Sequence, residues 1–107
     1  MPTSDPLIAC SLDAGALSDR LARMAELGSA ALLDARIDGR RALLRFAAGK
    51  EVRGRLDGIV AAEARCCPFL GMDVTEEPGT LTLTIVAPAG AEPVVEDLVA
   101  AFTRRAC

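Results

Sequence analysis

Few residues in this chain can do chemistry. Its 107 residues include four cysteines and no histidine, tryptophan or tyrosine. Two of the cysteines, Cys66 and Cys67, are adjacent in the run E-A-R-C-C-P-F-L-G, with Glu63 three and four positions before them and Pro68 directly after. Thiolates are nucleophiles and ligands for soft metals. A carboxylate one helical turn away can accept a proton or orient a sulfur. Without a histidine to serve as base, ordinary cysteine-hydrolase chemistry is disfavoured. A sulfur-only ligand set favours Hg(II), Cu(I), arsenite or zinc. Two or three sulfurs suit linear or trigonal coordination better than a four-ligand structural zinc site.

The elements around these residues must place them. Residues 7–12 (LIACSL) read as a short strand ending near Cys10. Asp13 then caps an amphipathic helix with Leu17, Leu21, Met24 and Leu27 on one stripe, ended by Gly28. Strands are expected at 31–37 and 40–47, turning at Asp38-Gly39. A second helix is expected over 50–67 and stops at Pro68, because the residue before proline disfavours helical geometry. Strands at 72–76 and 80–87 flank Glu77-Pro78-Gly79. A last helix begins near Ala91 and turns Val94, Val95, Leu98, Val99 and Phe102 inward.

This order predicts an α+β fold: a ferredoxin-like βαββαβ core extended by a strand and a C-terminal helix, with helices on one face of an antiparallel sheet. The length fits one domain over 1–107.

On the second helix the stripe Val52, Leu56, Ile59, Val60 continues into Glu63 and then Cys66 or Cys67. Glu63 therefore falls on the buried side, where a carboxylate must be paired, protonated or bound. The expected topology brings the end of the first strand to the end of the second helix. Cys10 is then a third thiol beside Cys66 and Cys67.

Composition excludes other classes. The net charge is −3 and aromatics are 3%. That disfavours nucleic acid, which selects basic surfaces and stacking planes. No apolar run reaches membrane-spanning length, and the N-terminus lacks the pattern of a signal peptide, so a cytoplasmic protein is expected. Thiols there are normally reduced.

Plainer readings stand beside these. A buried cysteine commonly packs as a small hydrophobe. Glu63 could snorkel from a partly exposed position. Pro68 and Phe69 read as a helix stop and a core anchor. Arg20, Arg23, Arg53, Arg55 and Arg65 interleave with acids as solvated faces, and Cys107 reads as silent.

The segments I-A-C-S-L, A-A-E-A-R-C-C-P-F-L and E-E-P-G-T-L-T-L-T-I together resemble a family of small bacterial proteins that carry an E-x-x-C-C-P-F signature. The likeness spans about residues 8–102. It implies an association with heavy-metal resistance, mercury and arsenic among the metals, and marks Cys10, Glu63, Cys66, Cys67, Pro68 and Phe69. The association defines no reaction. The C-x-x-C loop of ferredoxin-like metallochaperones is absent, since only Cys10 lies between the first strand and helix.

Three functions compete. One is a soft-metal thiolate protein using Cys10, Cys66 and Cys67, with Glu63 as proton acceptor or orienting group. The second is a thiol enzyme or redox protein, working by vicinal dithiol chemistry or by protonolysis of an organometal. The third is a structural module with packed cysteines, the apolar face of the last helix being a candidate homodimer surface. No organic cofactor is indicated.

Overall fold

The computed structural model describes residues 14–103. The expected strand at 7–12, the cap at Asp13, Cys10 and Cys107 lie outside them. The described chain runs α1 (Ala14–Ala31), β1 (Leu32–Asp38), β2 (Arg41–Ala47), α2 (Lys50–Cys66), β3 (Gly71–Glu77), β4 (Thr80–Val86) and α3 (Glu92–Thr103). It is an α+β arrangement of three helices and a four-stranded antiparallel sheet in the order β1-β2-β4-β3.

The sheet is two hairpins side by side. Gly39 and Arg40 turn the first, Gly39 supplying the positive φ of 64°; the turn sits one residue later than Asp38-Gly39. Pro78-Gly79 turns the second, with Gly79 at φ 80°. β2 pairs with β4 from Arg41↔Val86 to Ala47↔Thr80, which joins the hairpins. A ferredoxin-like order would seat the 7–12 segment beside 40–47. Here β2 has β1 on one side and β4 on the other.

Strand alternation sets the core. Ala42, Leu44 and Phe46 of β2 and Leu81, Leu83 and Ile85 of β4 are buried on one face. Met24 and Leu27 of α1, Leu56 and Ile59 of α2, and Val95, Leu98, Val99 and Phe102 of α3 close over them. Val94 is only half-buried. The rings of Phe46 and Phe102 meet edge to face, with centroids 5.6 Å apart. The opposite face of the sheet carries exposed Arg41, Arg45, Thr75 and Val86.

Gly28 does not end the first helix. α1 continues to Ala31, and Leu32 begins β1 with no intervening loop. Gly28 is instead a contact point with α3: a Cβ there would overlap the Phe102 carbonyl oxygen and lie 2.7 Å from its carbon. Glycine lets two backbones approach where any side chain would hold them apart.

Candidate thiol site and interhelix cleft

α2 delivers the expected residues to one place. Leu56, Ile59, Glu63 and Cys66 are its buried stripe, so the three- and four-residue spacing read from the sequence is the packing face. The helix ends at Cys66. Cys67 leaves helical geometry at φ −128°, ψ 71°, as a residue before proline must, and its N–H donates to the Glu63 carbonyl at 2.6 Å. The Leu70 N–H donates to the Cys67 carbonyl at 3.1 Å across Pro68 and Phe69. Pro68 is exposed and Phe69 packs half-buried against the core. This tight exit turns both sulfurs inward: Cys66 and Cys67 are buried, with Sγ atoms 3.7 Å apart. Cys66 is a free thiol, and Cys67 is disulfide-bonded.

Glu63 is fully buried, and Arg20 of α1 reaches it. Arg20 Nη2 pairs with Glu63 Oε2, and Arg20 Nη1 donates to Cys66 Sγ at 3.3 Å. One guanidinium therefore links the carboxylate to the thiol. A planar, forked cation is suited to hold two partners at once. Glu63 does not snorkel; it meets the sulfur through Arg20. Glu63 Oε1 is buried and has no hydrogen-bond partner among the described residues.

Arg20 was expected on a solvated face with Arg23 and Arg55. Its side chain is only 11% exposed. The signal lay in the spacing, since Arg20 precedes Met24 and Leu27 by four and seven positions on the same apolar stripe. Two opposite charges, each on the apolar stripe of its own helix, are natural partners for one another.

Beside this pair, between α1 and α2, lies a cleft of about 360 Å³. Arg20, Arg23, Met24 and Glu26 line it from α1; Gly54, Arg55, Gly58, Ile59, Ala62 and Glu63 line it from α2. Nothing in the apolar patterning of either helix announces it. Gly54 and Gly58, four apart on the helix, were the available signal.

Among the described residues no group of three or more Cys, Asp or Glu is close enough to hold a metal ion, so any third thiol must come from outside them. No described helix is long and apolar enough to cross a membrane. No family model, curated protein or solved structure matches the chain.

Proposed function

We propose that the protein holds a soft metal ion, of the class of Hg(II), Cu(I), arsenite or zinc, on the thiolates of Cys66 and Cys67, in the handling of heavy metals in a reducing cytoplasm. The observation that carries this reading is the paired sulfurs at 3.7 Å. Two sulfurs at about 2.3 Å from one trigonal ion stand roughly 4.0 Å apart, so a small shift of either sulfur would close on the ion. Simple packing accounts for the burial of the thiols but not for the guanidinium brought against one of them. In this reading Arg20 offsets the negative charge of the ligating thiolates, and Glu63 holds Arg20 in place. Cys10 is the candidate third thiol. Cys67 must be reduced before it can bind.

The test is native mass spectrometry of the reduced protein titrated separately with Hg(II), Cu(I), Zn(II) and arsenite. One tight equivalent, lost in the Cys66→Ser/Cys67→Ser protein, is expected. Absence of selective binding to every ion overturns the reading.

A second reading is favoured by the disulfide at Cys67 beside the free Cys66. The Cys66 thiolate would attack Cys67 Sγ, forming the Cys66–Cys67 bond. The former partner of Cys67 leaves as a thiolate and takes up the proton that Cys66 gave. This is thiol–disulfide exchange, with no net oxidation. Peptide mapping after alkylation distinguishes the two: a bond that moves between Cys67's partner and Cys66 supports exchange.

A further inference from the structure

The cleft between α1 and α2 is built in a way that folding alone does not require. Glycine inside a helix costs about 0.5–1 kcal/mol relative to alanine. Gly28 has a packing reason for being glycine. Gly54 and Gly58 have none: a Cβ at either position would meet nothing within 4 Å. They do not bring two helices together; they leave space, and the cleft occupies it.

Its lining is polar in a directed sense. Three guanidiniums, Arg20, Arg23 and Arg55, face two carboxylates, Glu26 and Glu63, so the lining is net positive. Arg20 is committed to Glu63 and Cys66. Arg23 and Arg55 are exposed at the rim, and neither makes an ion pair among the described residues. Glu63 is buried, and its Oε1 has no donor among the described residues. A buried carboxylate oxygen without a hydrogen bond is costly, and two unpaired guanidiniums suit a planar anion.

These demands are complementary and fit in one small molecule. We propose that the cleft binds an amino- or hydroxy-carboxylate. Its carboxylate sits between Arg23 and Arg55, and its N–H or O–H donates to Glu63 Oε1. Gly54 and Gly58 provide room along α2. The volume lies at the small end of ligand pockets. The cleft shares Arg20 and Glu63 with the thiol site, but its ligand does not require a metal on the thiols.

The experiment is a ¹⁵N–¹H correlation titration of the full chain with L-lactate, L-glutamate, propionate and ethanolamine. Saturable shifts at Gly54, Gly58 and Ala62 are expected with lactate and glutamate. Binding should be weaker by about tenfold or more for propionate, which has no donor, and for ethanolamine, which has no carboxylate. Gly58→Leu should fill the cleft and abolish the shifts while spectral dispersion is kept. Should leucine unfold the chain, Arg23→Ala/Arg55→Ala, both exposed, should weaken binding by a similar factor. No saturable shift with any probe overturns the site, as does equal binding of propionate and lactate, or binding unaltered in the variants.

Discussion

Arg20 of α1 and Glu63 of α2 form an ion pair in the seam between their helices, and the same guanidinium donates to Cys66 Sγ. Breaking such a buried pair leaves one charge without its partner. Arg20→Ala should destabilise the fold by about 3–5 kcal/mol. Arg20→Met combined with Glu63→Leu should recover most of that loss, because an apolar pair removes both desolvation penalties. Urea unfolding of the single and double variants checks this. A double variant no more stable than Arg20→Ala would show that the pair does not act as a unit.

Two glycine substitutions should move stability in opposite directions. Gly28→Ala drives a methyl into the Phe102 carbonyl, and the neighbour is backbone that cannot rotate away. A loss at or above the top of the usual overpacking range of about 1–3 kcal/mol is expected. Gly58→Ala meets open space on an α-helix and should gain about 0.5–1 kcal/mol. Thermal melts of both proteins, run side by side, decide the matter.

Phe46 and Phe102 fasten α3 to the sheet. Either residue changed to alanine should cost about 3–5 kcal/mol. A double-mutant cycle with leucine at each position should leave a coupling of about 0.5–1.5 kcal/mol, the share that belongs to ring geometry rather than burial. Zero coupling would reduce the contact to buried area alone.

Across the first hairpin, Arg45 Nε donates to Asp34 Oδ2 at 2.9 Å. That hydrogen bond, followed by the charges of Arg45 and Arg36, holds the Asp34 carboxyl below the usual carboxylate range despite the opposing effect of desolvation. A folded-state pKa below the unfolded value means that stability is present above the unfolded pKa of about 3.9 and lost as pH falls through the folded one. The group is fully exposed, so the effect is small. Asp34→Asn should lower the urea midpoint slightly at pH 7 and match the parent near pH 2. An equal difference at both pH values would assign the effect to something other than charge.

The sequence revealed much of this arrangement through local signals. Both hairpins announce themselves by a glycine turn between β-compatible runs, and α2 by a stripe that runs unbroken into Glu63 and Cys66. The burial of Glu63 was legible for the same reason. What escaped was everything decided between elements. Gly28 reads as a helix stop because the contact that demands it, Phe102, lies 74 positions away. Arg20 reads as a surface cation until α1 is laid against α2. The neighbours of β2 depend on which hairpin edge docks, and strand alternation is the same for either choice.

The two-hairpin sheet also has a consequence for how the chain finds its shape. β1–β2 and β3–β4 each close through a two-residue turn, so they can zip locally. Within the sheet, only β2–β4 must be found across a distance, from 33 positions at Ala47↔Thr80 to 45 at Arg41↔Val86. Most of that interval is α2 and β3, which shorten the effective search as they form. Loop-closure entropy grows only with the logarithm of length. The docking of two preformed hairpins is thus the slow event, and core residues at their shared seam, Leu44 and Leu83, should set its speed.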